Sequence, residues 1–137
     1  RRGARVLVGG RIEKIGQGTF YPATLLVNVT NDMEIMQEEN FGPILPVMRV
    51  KNLQEAIRHV NDSPYGLTSA IFTRDTGVAR EFARKVDVGT VFMNRCDYLD
   101  PALPWTGVKH SGCGSSLSKY GFYGVTRRKG LHFKTEI

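Results

Sequence analysis

Short apolar runs alternate with amphipathic segments along most of the chain. β-Branched, aliphatic and aromatic residues dominate these runs, and Gly, Pro, Asn or Asp bounds them, which is the pattern of β-strands. Strands are therefore predicted at residues 6–8, 20–29, 44–50, 67–72 and 89–94. Proline cannot donate to a sheet ladder, so Pro22 predicts that the second of these strands lies at an edge or that a strand starts there.

Two intervening segments carry apolar residues at helical spacing. Asn52 is a favourable N-cap with Glu55 at the capping-box position, so a helix is predicted from there until shortly before Pro64. A second helix begins at Thr73 or Asp75 and reaches about Lys85. The apolar stripes of the two helices are Leu53, Ala56, Ile57 and Val60, then Val78, Ala79, Phe82 and Ala83.

The succession of strand, helix, strand, helix, strand with short connections predicts an α/β fold, an open, mostly parallel sheet with covering helices. The pattern then changes at residues 95–118, which are rich in Pro, Gly and Ser. A loop of this length is usually functional or disordered, and its apolar residues predict that it packs. A short helix at 120–125, weakened by Gly121 and Gly124, precedes a period-two strand at 130–137 that needs a partner edge.

Composition places the chain among globular proteins. Its 137 residues suit one domain, and its 41% apolar and 23% charged residues are ordinary. No apolar run has the length of a transmembrane helix, so no membrane contact is expected. The basic residues Arg1 to Arg5 are not a signal peptide, since they lack an apolar region. The missing initial Met suggests that the chain was cut from a longer one.

Two cysteines, Cys96 and Cys113, are too few for a disulfide framework and lack metal-ligand spacing. A reducing, cytoplasmic setting is therefore expected. Packing is the preferred role for both cysteines, and a catalytic role is left open. The net charge of +6 is concentrated near the two ends. The sequence has no RNA-binding or helix-turn-helix pattern. A solvated face, or a contact with parts of a longer protein, is therefore favoured over nucleic-acid binding.

The junction at residues 37–43 joins a helix-capable acidic segment, residues 32–39, to the strand that starts near Ile44. Glu39 is followed two residues later by Phe41. A carboxylate can accept hydrogen bonds from a sugar diol, and a nearby exposed aromatic side chain can pack against a flat ring. The alternative is a turn that leads into a strand, with a solvated acidic flank and Phe41 in the core. No GxGxxG or phosphate loop is present, so these residues are not predicted to contain the cofactor-binding half of an open α/β fold.

Several segments in order resemble the C-terminal part of the NAD(P)-dependent aldehyde dehydrogenase superfamily. The similarity runs almost end to end, and the ordered set of motifs is far more specific than any one of them. The matching segments are EENFGP at 38–43, NDSPYGL at 61–67, FTRD at 72–75, GTVFMN at 89–94 and PWTGVKHSGCG at 104–114.

The resemblance implies that the longer enzyme oxidises an aldehyde to a carboxylic acid with NAD or NADP. Residues 1–112 would be the C-terminal part of its catalytic domain, and residues 113–137 a short helix and an oligomerisation tail. The family's nucleophilic cysteine and general-base glutamate precede the matched region. No catalytic residue is therefore assigned in this chain, and the chain alone is expected to be inactive.

The resemblance also implies three contact residues. Glu39 matches a glutamate that accepts hydrogen bonds from the nicotinamide ribose, and Phe41 matches an aromatic residue that packs near that ribose. Trp105 matches an aromatic at the aldehyde entrance, and its alternative role is a buried loop anchor. The terminal strand resembles the family's oligomerisation strand, which implies a homo-oligomer.

Departures from the family pattern concentrate near this aromatic residue. Trp105 replaces the usual Phe, Thr106 replaces the usual Gly, and Ser115-Ser116-Leu117 replaces R-E-L, which removes a glutamate linked to proton transfer. These changes suggest a divergent subgroup and leave the substrate class open. The competing hypothesis is a non-catalytic interaction module that assembles through the terminal strand or an exposed sheet.

Overall fold

The computed structural model describes residues 3–96 and 98–137. Arg1 and Arg2 of the basic N-terminus, and Asp97 of the predicted loop, lie outside the described residues. The chain divides into two compact units, Arg1–Ser63 and Pro64–Ile137. The domain boundary expected near residue 112 stays a prediction.

A three-stranded sheet forms the centre of the first unit, in the order β1-β4-β5. β1 is antiparallel to β4, and β4 is parallel to β5 with Thr24 opposite Ile44. β2 and β3 form a separate hairpin whose turn contains Gly16 at a positive φ of 60°. The elements of this unit are β1 (Arg5–Val8), β2 (Glu13–Ile15), β3 (Gly18–Phe20), β4 (Thr24–Val27), α1 (Glu34–Gln37), β5 (Ile44–Val47) and α2 (Leu53–Asn61).

Pro22 separates two strands where the sequence predicts one. β3 ends at Phe20 and β4 begins at Thr24, so the single strand predicted at 20–29 is wrong. The prediction of a strand start near Pro22 is confirmed. The edge position is wrong, because β4 lies between β1 and β5.

The N-cap predicted at Asn52 is present, but the Glu55 carboxylate bonds to the residue before the cap and not to the Asn52 N–H of a capping box. The Asn52 side chain accepts a hydrogen bond from the Glu55 N–H at 2.9 Å, and the Glu55 carboxylate accepts one from the Lys51 N–H at 2.5 Å. On the predicted stripe Ile57 is buried, and Leu53, Ala56 and Val60 are half-buried. Local capping and apolar spacing therefore place this helix correctly.

The second unit contains a parallel pair, β7 and β8, with Thr68 opposite Thr90. β6 pairs antiparallel with β10, and β9 pairs antiparallel with β11. Short strands therefore occupy part of the segment predicted as a loop. The elements are β6 (Tyr65–Gly66), β7 (Thr68–Ile71), α3 (Thr76–Lys85), β8 (Thr90–Met93), β9 (Trp105–Thr106), β10 (Val108–Lys109), β11 (Ser115–Ser116) and α4 (Ser118–Val125).

α3 begins at the predicted cap. The Asp75 carboxylate accepts hydrogen bonds from the Gly77 and Val78 N–H groups at 2.7 and 3.1 Å. Ala79 and Phe82 are buried, but Ala83 is exposed, so the predicted inward stripe is one residue too wide.

The buried apolar core of the described residues is small. It consists of Val29, Met33 and Ile57 in the first unit, and Ala79, Phe82 and Val86 in the second. The described residues 126–137 form no helix or strand within this chain. The α/β character is confirmed, whereas the single open sheet and the oligomerisation strand stay predictions.

Candidate functional site

The loop at residues 38–43 borders a surface groove of ≈ 510 Å³ in the first unit. α1 ends at Gln37, and the N–H of the next residue, Glu38, still donates to the Glu34 carbonyl at 2.8 Å. Pro43, at the other end, accepts a hydrogen bond from the Thr24 N–H at 2.8 Å. The groove is lined by Ala4, Leu26, Met33, Glu34, Ile35, Glu38, Glu39, Asn40 and Phe41.

Glu39 and Phe41 lie together on this groove, as the sequence predicts. Phe41 is 95% exposed, so the alternative that placed its ring in the core is wrong. Among the described residues, the Glu39 carboxylate has no hydrogen-bond or ion-pair partner. An accessible carboxylate and an accessible ring in one groove can accept hydrogen bonds from a diol and pack against a flat group.

Side-chain amides on both sides of Glu39 form hydrogen bonds, Gln37 to residues outside the loop and Asn40 within it. Gln37 Nε2 donates to the Asn31 carbonyl at 2.7 Å and to the Asp62 carbonyl at 3.0 Å. Asn40 Oδ1 accepts from the Gly42 N–H at 2.8 Å. Our sequence reasoning did not identify either amide, although an Asn two residues before a Gly is a local signal for an Asx-turn.

Trp105 lies in the second unit, where it is half-buried and lines an apolar pocket of ≈ 160 Å³. The Arg95 guanidinium stacks on the Tyr98 ring at 4.5 Å, at the wall of the same pocket. The Thr90 hydroxyl, also in the lining, is buried without a hydrogen-bond partner. The remaining lining residues are Phe92, Leu99, Asp100, Leu103, Pro104 and Leu117. Partial burial in a pocket wall is compatible with both roles suggested for Trp105.

The departures from the family pattern face one another across one strand pair. Trp105 is opposite Ser116, and Thr106 is opposite Ser115. The Thr106 hydroxyl also donates to the Gly114 carbonyl, so it closes the turn region that the two strands flank. Residues that face each other across a strand pair contact each other, so these departures belong to one cross-strand contact.

Both cysteines are exposed, so the packing interpretation is wrong for the described chain. No group of His, Cys, Asp and Glu side chains suited to a metal ion occurs among residues 3–96 and 98–137. None of the helices in the same residues is long and apolar enough to cross a membrane.

Comparison with known proteins places the chain in a family. A model described as "Aldehyde dehydrogenase family" matches residues 1–131. The aldehyde dehydrogenase of Paenarthrobacter nicotinovorans is 48% identical over 120 residues, which cover 88% of this chain and 26% of the relative. Lactaldehyde dehydrogenase of Escherichia coli is 40% identical over 121 residues, which cover 88% of this chain and 25% of the relative.

Solved structures agree with this placement. The crystal structure of lactaldehyde dehydrogenase from Escherichia coli superposes with a TM-score of 0.83 at 41% identity, over 90% of this chain and 26% of that one. Betaine aldehyde dehydrogenase from Staphylococcus aureus, solved in complex with NAD+, gives a TM-score of 0.83 at 38% identity, over 90% of this chain and 25% of that one. The fold is thus the α/β fold of aldehyde dehydrogenases.

The chain belongs to the aldehyde dehydrogenase family. It spans about a quarter of the length of the curated relatives that it matches.

Proposed function

We propose that this chain is the part of an NAD- or NADP-dependent aldehyde dehydrogenase that holds the nicotinamide ribose and forms one wall of the aldehyde pocket. The longer enzyme would oxidise an aldehyde to a carboxylic acid. The observation that carries the proposal is the match of residues 1–131 to the family. The succinate semialdehyde dehydrogenase and the lactaldehyde dehydrogenase of Escherichia coli are each 40% identical to the chain. Similarity to these two relatives therefore does not favour one substrate over the other.

The groove in the first unit supports the assignment of Glu39 and Phe41 to ribose binding, because both residues line it. The Glu39 carboxylate has two acceptor oxygens, which suit the two hydroxyls of a ribose, and ionised acceptors form the stronger class of hydrogen bonds. Phe41 is 95% exposed and offers a flat apolar surface beside that carboxylate. When bound, the cofactor would accept the hydride. Glu39 and Phe41 would bind its nicotinamide ribose and orient it.

The pocket in the second unit supports the assignment of Trp105 to aldehyde binding. Its lining is mostly aliphatic and aromatic, and its ≈ 160 Å³ volume suits a small apolar group. Trp105 would form one wall against the organic part of the substrate.

We assign no catalytic residue to this chain. Cys96 and Cys113 do not match the position of the family's nucleophile, and the chain spans about a quarter of its relatives' length. We therefore expect that the 137-residue chain does not oxidise aldehydes by itself. NADH formation from common aldehydes by a pure sample would contradict this expectation.

The test of the ribose assignment uses the longer enzyme that contains this chain. Glu39→Ala and Phe41→Ala should each raise the KM for the dinucleotide by about tenfold, the change expected when a charged hydrogen bond or an aromatic contact is removed. Glu13→Gln is the matched control, because Glu13 is exposed on the β2–β3 hairpin and does not line the groove. An unchanged KM for the dinucleotide in both groove variants would overturn the assignment.

A second candidate function is self-association through the C-terminal segment. Leu131 and Phe133 are 70% and 77% exposed, and they alternate with polar residues. A period-two segment with one apolar face suits a strand that pairs with an edge of a second copy. The segment would serve this role either in the oligomeric enzyme or in a non-catalytic interaction module.

A further inference from the structure

We propose that Gln37 and Asn40 are positioning residues, which hold the loop at residues 38–43 in the shape that presents Glu39 and Phe41 to the cofactor. The proposal rests on the proposed function, because it concerns the same groove. The resemblance assigns no role to either residue, since Asn40 occupies the variable position of the E-E-x-F-G-P motif and Gln37 precedes the motif.

Within this chain, packing does not hold the loop. Every residue from 38 to 43 is exposed. A segment without buried side chains keeps a defined shape only through hydrogen bonds and backbone restrictions, since each residue that is ordered loses conformational entropy.

Gln37 fixes the start of the loop. Its side-chain amide donates to the Asn31 carbonyl at 2.7 Å and to the Asp62 carbonyl at 3.0 Å. Asn31 itself donates to the Asp62 carboxylate at 2.8 Å. The end of α1 is thereby joined to the segment before it and to the end of α2, which is anchored by the buried Ile57.

Asn40 fixes the middle of the loop, between the two ligand-contacting residues. Its Oδ1 accepts from the Gly42 N–H at 2.8 Å, and its Nδ2 donates to the Ile44 carbonyl at 3.4 Å. The first of these bonds closes an Asx-turn over residues 40–42, which sets the backbone direction from Asn40 through Phe41 to Gly42. The Thr24–Pro43 bond then fixes the end of the loop on β4.

The consequence is preorganisation. A loop that already has its binding shape loses less conformational freedom when the ribose binds, so affinity is higher without any added contact. Gln37 and Asn40 therefore act through Glu39 and Phe41 rather than by touching the cofactor.

The experiment measures dinucleotide binding by calorimetry in the longer enzyme. Gln37→Ala and Asn40→Ala should each weaken binding by about fivefold, the effect of losing one ordinary hydrogen bond. Asn40→Ser should fall between Asn40→Ala and the wild type, because a hydroxyl closes the same turn more weakly. Gln37→Glu should weaken binding at least as much as Gln37→Ala, since it turns a carboxylate toward two carbonyl oxygens.

Two readouts separate positioning from a general loss of structure. The KM for the aldehyde and the melting temperature should stay at wild-type values in the Asn40 variants. Amide hydrogen exchange at Gly42 should speed up in Asn40→Ala and be partly restored in Asn40→Ser. Gln17→Ala is the matched control, because Gln17 is an exposed amide in the β2–β3 turn outside the groove.

The outcomes distinguish this proposal from the one on which it rests. If Glu39→Ala weakens binding but Gln37→Ala and Asn40→Ala do not, the positioning role is overturned and the ribose assignment stands. If Glu39→Ala and Phe41→Ala leave binding unchanged, the ribose assignment fails. Faster exchange at Gly42 without weaker binding would also overturn the positioning role.

Discussion

Thr24 joins two parts of the first unit through a single hydroxyl. It is 4% exposed, accepts a hydrogen bond from the Gly10 N–H at 2.8 Å and donates one to the Pro22 carbonyl at 2.9 Å. Thr24→Val keeps the shape of the side chain but leaves the Gly10 N–H without this acceptor. Such a loss costs about 1–3 kcal/mol, so the free energy of unfolding should fall by that amount in chemical denaturation.

Thr19→Val is the matched control for this prediction. Thr19 is exposed on β3, and the same replacement there should change the free energy of unfolding by no more than about 0.5 kcal/mol. Equal effects of the two substitutions would show that the two part-buried hydrogen bonds of the Thr24 hydroxyl are not the cause.

The sequence identifies Glu39 and Phe41 as candidates for ribose binding, but it does not identify the amides beside them, and the reason lies in single side chains. Glu39 and Phe41 belong to a motif that stands out in the sequence. Gln37 acts through carbonyls of Asn31 and Asp62, which are 6 and 25 residues away. Contacts of this kind depend on how helix ends meet, so no local pattern indicates them.

At the scale of elements, the cap of α3 offers a direct test. Asp75→Ala removes the acceptor for the Gly77 and Val78 N–H groups. Loss of an N-cap typically costs about 1 kcal/mol, so the unfolding midpoint should fall accordingly in thermal or urea denaturation.

Asp75→Asn is the conservative variant, because asparagine keeps the cap acceptor and is equally favoured at this position. It should retain most of the stability that Asp75→Ala loses. If Asp75→Asn is as destabilised as Asp75→Ala, the contribution of Asp75 does not come from capping.

The helices were predicted more accurately than the sheets because their signals are local. Caps and apolar spacing identify α2 and α3 within a few residues of their bounds. The position of β4 between β1 and β5 depends instead on pairing with residues far along the chain. The two-residue strands β9, β10 and β11 are too short to give a period-two pattern, which is why the sequence predicted only a loop there.

At the scale of the whole molecule, many large apolar side chains are exposed among the described residues. Among the described residues only six apolar side chains count as buried, whereas Val6, Leu7 and Val8 of β1 are each about half exposed. Surfaces of this kind usually contact other polypeptide. This agrees with a chain that spans about a quarter of its relatives' length.

At this scale, the prediction concerns self-association through the terminal segment, residues 130–137. If residues 130–137 pair with an edge of a second copy, light scattering after size-exclusion chromatography should give a mass that is a multiple of 15.3 kDa. The double substitution Leu131→Ser with Phe133→Ser removes the apolar face of the strand, so it should shift the sample toward the monomer.

The control is His132→Ser with Lys134→Ser, which changes the opposite face of the same strand. Because successive side chains of a strand point to opposite sides, this variant should keep the mass of the unsubstituted chain. If both double variants keep that mass, the chain associates through another surface, such as the exposed face of β1. If the unsubstituted chain is a monomer at all concentrations, self-association of the 137-residue chain is excluded, and with it the interpretation of this chain as an interaction module.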